Sequence, residues 1–316
     1  MGELAALIAA MSWSATSVLL TSLTARTSPV VLSALRLSSA TLVLPFILLA
    51  SGQAGDFADA SPGVFFAIMG SGLVGYGLGD TVYIRALGLL GMQKTFPISM
   101  ALFIALTIAG GVVLLDEPFT WGLPAGALLI SAGIYLIVIP AKGAAPQPLP
   151  AIPAAEPALA GFADLPRPEG LFRQAGFSGY ALLGAAGLLW ATATLWLAGG
   201  HGHMGAIATG SLRTPAGAFG LLGFAVATRP RELAAPFRDA RHLGAIVATG
   251  LAGTAFGSLM YVYAVVEAGA ARTAVLSATA PLLALPLSVV FLHERLTRRI
   301  GAGTILCVLG ILLVVA

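Results

Sequence analysis

Three ionisable side chains lie inside long apolar runs of this chain: Arg36, Asp80 and Arg213. A charge in lipid is costly, so such a residue faces the protein interior or a cavity, where it pairs, binds a solute or carries a proton. Arg36 follows Pro29 at a depth of ~10 Å into its segment, at ~1.5 Å per residue. Two readings of it stand: a buried guanidinium that serves a ligand, or a side chain snorkelling to the near surface. Asp80 falls at a similar depth on the same side, so a structural Arg36–Asp80 ion pair is expected, with proton coupling as the other role. Trp13, Tyr76, Tyr83, Phe103, Trp190, Tyr261 and Tyr263 recur in the same runs. Singly they read as packing or interfacial aromatics; together they can wall a cavity for flat, partly apolar solutes. Metal chemistry is not expected, because His293-Glu294 lacks a second His four positions after the first, and His201 and His203 have no further ligands in sequence. The sole cysteine, Cys307, excludes an internal disulfide and reads as an inert packing residue.

The elements that must position these residues are duplicated. Gly72 to Glu117 returns as Gly250 to Glu294. At an offset of 178, Gly72, Gly75 and Gly79 fall on Gly250, Gly253 and Gly257, Tyr83 on Tyr261, Ala86 on Ala264, Thr95 on Thr273 and Ser99 on Ser277. At 177, Trp13 meets Trp190, Arg36 meets Arg213, Glu117 meets Glu294, Gly126 meets Gly303 and Gly133 meets Gly310. Asp80 has Ser258 as its counterpart, so the acid belongs to one copy only. Small residues four apart, as in Gly75 with Gly79 and Gly253 with Gly257, let helix backbones approach closely. Glu117 and Glu294 end equivalent segments and read as helix-end surface charges. Pro97, Pro281 and Pro286 are candidate bends in the fourth and ninth segments.

Composition identifies the solvent of this unit. With 58% hydrophobic residues, 9% charged residues and a mean hydropathy of +0.95, the apolar surface exceeds what a water-soluble core can hide. Runs of the length needed to cross a bilayer, roughly 20 residues, begin near Glu3, Pro29, Gly63, Met92 and Phe119, and again near 177, 204, 243, 270 and 298. Between them, residues 141–176 carry seven prolines and read as a flexible surface linker. The chain is expected to be an all-α integral membrane protein of ten transmembrane helices, arranged as two inverted five-helix repeats, 1–140 and 177–316. The inversion follows from parity, since five spans bring the second copy into the membrane the other way up, a construction that recurs in secondary transporters. Of the 16 Lys and Arg residues, all but Arg213 and Arg272 fall on one side, which the positive-inside rule makes cytoplasmic, with both termini outside. No basic stripe with interleaved aromatics is present, so nucleic acid is not an expected partner.

A Trp in each first span, an Arg early in each second, a Gly-rich third span leading to Tyr-x-x-Ala and a fourth span ending in Glu together resemble the EamA-type, ten-helix members of the drug/metabolite transporter superfamily. The resemblance covers roughly residues 3–140 and 177–316. It implies an inner-membrane secondary transporter, not an enzyme, often an exporter of amino acids or related metabolites, with a central cavity and no cofactor. Carried onto this sequence, it makes Trp13, Tyr76, Asp80, Tyr83, Ser99, Phe103, Trp190, Tyr261 and Ser277 the lining candidates, beside the charged Arg36 and Arg213. A small-molecule substrate, membrane lipid and a monomeric state complete that expectation. A lipid or lipid-carrier flippase of the same fold is the alternative, and a multispan enzyme on lipid-linked substrates is disfavoured by the want of an acid, histidine or nucleophile cluster.

Overall fold

The computed structural model of the chain describes residues 1–24, 26–90, 92–138, 177–280, 282 and 298–316. The linker 141–176, the expected bends at Pro281 and Pro286, and Glu294 lie outside the described residues. Among those described, all regular structure is helical. Helix α1 is Gly2–Leu23 and α2 is Pro29–Ser51; Ser28 enters α2 in an extended conformation ahead of Pro29, and Gly52, left-handed at φ 72°, ends it by donating its N–H to Leu49 O. Helix α3 runs through Pro62–Gly72, a π-helical stretch Leu73–Gly79, and Asp80–Leu90. Met92–Leu114 is α4, Gly122–Val138 is α5, Phe177–Gly200 is α6 and Ala206–Thr228 is α7. Helix α8 repeats the build of α3, as Ala240–Thr249, a π-helical stretch Gly250–Gly257, and Ser258–Ala268. Ala270–Ser277 is α9 and Arg298–Val315 is α10.

By length and composition, Pro29–Ser51, Pro62–Leu87, Gly179–Gly200 and Ala240–Ala268 suffice to cross a membrane, and Ile98–Leu114, Gly122–Leu136 and Gly301–Val315 are shorter apolar helices. Large apolar side chains such as Leu42, Phe46, Phe66, Leu128 and Leu312 are exposed on the outer faces, as lipid as the solvent requires.

The two halves meet through reciprocal contacts, in which residue i of one half touches the counterpart of its own partner's equivalent, as in a two-fold interface. Helices α5 and α10 run antiparallel: Gly126 abuts Gly310 O, Gly133 abuts Gly303 O, and at the crossing Cys307 Sγ meets the carbonyl of Ile130, its own equivalent at offset 177. The buried Cys307 thus packs, as its place in an apolar run implies.

The repeated glycines lie in or directly before the two π-helical stretches, and their missing side chains admit the opposite half. A Cβ at Gly79 would fall 2.8 Å from Trp190 Cδ1, and one at Gly257 would fall 3.0 Å from Trp13 Nε1. Each Gly-rich third helix therefore packs against the Trp of the other copy, not of its own.

The connections interlock in the same manner. At one end of the bundle Arg26 pairs with Asp239 at 3.0 Å and Ser28 Oγ donates to Glu232 at 2.6 Å. At the other end Asp56 accepts from Gly205 N at 2.8 Å, while Gln53 Oε1 accepts from Ile207 N and Ala208 N. In each case the connection after a second helix meets the start of the other half's second helix; at α7 it supplies acceptors to free backbone N–H groups, and ahead of α2 it holds the side chains of Arg26 and Ser28.

Candidate functional site

The crossing of α1, α2, α3, α4, α6, α7 and α8 leaves a cavity of about 100 Å³. Trp13, Arg36, Tyr76, Asp80, Tyr83, Phe103, Trp190, Arg213 and Tyr261 all border it, so most of the residues singled out from the sequence come together although they are spread over both halves. Two aromatic pairs span the halves: Trp13 stacks on Tyr261 with ring centroids 5.2 Å apart, and Trp190 on Tyr83 at 4.9 Å. Each indole N–H is engaged, Trp13 Nε1 donating to Gly253 O at 3.0 Å and Trp190 Nε1 to Asp80 Oδ1 at 2.9 Å. Phe103 meets Trp190 edge-on, and Tyr261 OH shares a hydrogen bond of 2.7 Å with Thr194. Aromatic faces with saturated polar tips make rigid, mostly apolar walls.

Ser99 and Ser277 are not among the residues bordering the cavity. Both are buried within their helices, where Ser99 Oγ donates to Thr95 O at 2.8 Å and Ser277 Oγ to Ala274 O at 3.1 Å. A serine hydroxyl in an apolar helix commonly donates to the carbonyl one turn back. In their place the cavity holds Thr16, Thr194, Thr254 and Ser258. The signal for the last two was present in the repeat, because Thr254 and Ser258 occupy the positions equivalent to Tyr76 and Asp80.

The two repeated arginines differ in surroundings. Arg213, 2% exposed, donates from Nε to Ser71 Oγ at 2.9 Å and from Nη1 to Tyr76 OH at 2.5 Å, and its guanidinium lies 4.1 Å from the centre of the Tyr76 ring. Ser71 Oγ donates onward to Ala193 O at 2.6 Å. This cation is fully housed by the protein. Arg36, 7% exposed, has none of these partners: its counterpart of Tyr76 is Thr254, too short to reach, and its Nε is buried without a hydrogen bond. Neither arginine snorkels to a surface. Arg36 and Asp80 border one cavity and attract each other across it, but they make no direct ion pair within 4.0 Å, and Asp80 accepts from the Trp190 indole.

Glu117 differs from the expected surface charge. Its carboxylate accepts from Ala270 N at 2.6 Å and Ala271 N at 3.0 Å, capping α9 of the other half just after Gly269, whose φ of 84° opens the turn. The sequence separation of 153 residues hides a contact that the unpaired N–H groups of α9 require. Among the described residues no three His, Cys, Asp or Glu side chains are grouped to hold a metal ion.

The apolar helices point to a multi-pass membrane protein, which encloses an aromatic and charged cavity. The family model for EamA-like transporters matches residues 1–139 and 177–316, and the chain belongs to that family of membrane transporters, a branch of the drug/metabolite transporters. A solved structure described only as a crystal structure of protein shares its fold, with a TM-score of 0.71 at 19% identity over 99% of this chain and 94% of that one. None of the curated proteins compared matches the sequence.

Proposed function

We propose that the chain is a secondary transporter of the inner membrane, with ten spans in two inverted five-helix repeats at 1–140 and 177–316, joined by the linker 141–176. It exports small metabolites, amino acids or related compounds, by alternating access through the cavity, and acts as a monomer surrounded by membrane lipid. The observation that carries this reading is the cavity itself, built at the crossing of the two halves from residues that the halves contribute reciprocally. Alternating access is favoured by the paired clamps. Arg26 and Ser28 with Asp239 and Glu232 close one end, and Gln53 and Asp56 with the start of α7 close the other, so a rocking of one half on the other opens either end while keeping its counterpart shut. A volume of about 100 Å³ favours a small solute over the lipid of the alternative reading.

Export from cells overexpressing the protein, scored over a panel of amino acids and toxic analogues, tests this function. Trp13→Ala and Trp190→Ala should each lower export with membrane expression intact; loss of expression in both would make these residues packing elements and withdraw the cavity as the transport site. For topology, a C-terminal alkaline phosphatase fusion should be active, and fluorescence of a cytoplasm-only reporter at Ala316 would overturn the assigned orientation.

A further inference from the structure

The duplication provides its own control for a ligand-binding residue. Arg36 and Arg213 occupy equivalent positions, border the same cavity and are both buried, yet only Arg213 is supplied with hydrogen-bond partners by the protein. Arg36 has only the charge of Asp80, beyond ion-pair distance, to offset its burial, and a buried guanidinium without hydrogen-bond acceptors is one that a ligand can satisfy. Beside Arg36 the structure leaves a second polar group open. Thr254 Oγ1, on a residue 3% exposed, is buried without a hydrogen bond, and it follows Gly253, where a Cβ would fall 3.4 Å from Arg36 Nη2. Arg36 and Thr254 both line the cavity, and a small turn of the buried Nε and hydroxyl toward it makes them a receptor for an oxyanion.

The charge of the chamber limits which oxyanion. Its charged lining residues are Arg36, Arg213 and Asp80, so one positive charge is in excess, and Asp80 already accepts from Trp190. An excess of one fits a singly charged planar group, and the fork of a guanidinium matches a carboxylate with two parallel hydrogen bonds. We infer that Arg36 and Thr254 receive the carboxylate of the transported solute, its apolar body lying between the Trp–Tyr pairs, while Arg213 serves the fold. This rests on the reading of the cavity as the transport site. It makes the preferred solutes small carboxylic acids, whether or not they also carry an ammonium group, and it excludes organic cations.

Binding to the purified full-length protein in lipid nanodiscs separates the possibilities, with the cavity tryptophans Trp13 and Trp190 as fluorescent reporters. The probes are 3-phenylpropionate, its neutral amide 3-phenylpropionamide, and the cation 2-phenylethylammonium. The carboxylate should bind at least ten-fold more tightly than the amide, and the cation should not bind. Arg36→Gln should weaken the carboxylate by roughly 10- to 100-fold, the worth of a hydrogen bond to a charged group, and leave the amide unchanged. Arg36→Lys, which keeps the charge, and Thr254→Val, which keeps the volume, should each weaken the carboxylate by roughly 3- to 30-fold. If the amide binds as well as the acid, or if these variants lower both probes alike, the assignment to Arg36 and Thr254 falls while the cavity reading stands. If no probe of any charge binds, the cavity reading falls and takes the carboxylate site with it.

Discussion

Tyr76→Phe isolates what houses the buried Arg213. The substitution removes only the phenolic oxygen that accepts from Arg213 Nη1 at 2.5 Å, and it leaves the ring whose centre lies 4.1 Å from the guanidinium. A hydrogen bond to a charged group contributes ~1.5–3 kcal/mol, and with Tyr76 6% and Arg213 2% exposed a loss of about 2 kcal/mol is expected. That is roughly a 30-fold fall in the folded-to-unfolded ratio. Tyr76→Leu should cost about 2 kcal/mol more, because a desolvated cation–π contact is lost as well. Reversible unfolding in mixed SDS micelles measures each variant. In a cycle with Arg213→Met, the hydroxyl loses its cation, so Tyr76→Phe should then be nearly silent, giving a coupling of about 2 kcal/mol. A Tyr76→Phe protein as stable as the parent, or costs that add without coupling, would refute the view that Tyr76 OH holds Arg213 in place.

Removing the α9 cap with Glu117→Ala should cost about 2 kcal/mol, since two backbone donors lose a charged acceptor at a helix N-terminus, and Glu117→Gln should recover part of it; hydrogen exchange at Ala270 and Ala271 is the readout, and unchanged protection there counts against the cap. Gly79→Ala places a methyl 2.8 Å from Trp190 Cδ1, so export should fall with expression retained and the tryptophan emission shifted; a variant with normal emission would show that the indole does not rest on this glycine. Both acids of the Arg26–Asp239 and Ser28–Glu232 clamp titrate below the usual carboxylate range. The His242 backbone N–H and then Arg26 hold Asp239 down, and Ser28 and then Arg229 hold Glu232 down. Groups with lowered values stabilise the contact at neutral pH and release it as pH falls through their folded values. Spin labels at Thr24 and Phe237 should therefore keep their distance between about pH 7 and 5 and separate only in stronger acid; separation near pH 6 would show that another group controls the clamp.

Much of this architecture was legible in the sequence because it is periodic. Apolar runs of bilayer length follow from the need of every backbone polar group for an internal partner in lipid, and the offset of 177 to 178 exposed the duplication together with Trp13, Trp190, Arg36, Arg213, Tyr83 and Tyr261. Residue type and equivalence were thus determined by the chain alone. What it did not determine was partnership. The repeat aligns Trp13 with Trp190, but only the packed halves show that each packs on the tyrosine of the other copy, because a two-fold interface joins a residue to its neighbour's equivalent except at the axis, where Cys307 meets Ile130. The same geometry sent Glu117 to the start of α9, turned Ser99 and Ser277 back to their own helices, and gave Asp80 the Trp190 indole in place of a direct ion pair with Arg36. It also separated the two arginines, which the alignment makes alike: a hydroxyl within reach of Arg213 at Tyr76, and only a threonine at the equivalent position beside Arg36, decide which guanidinium the fold satisfies and which it leaves open.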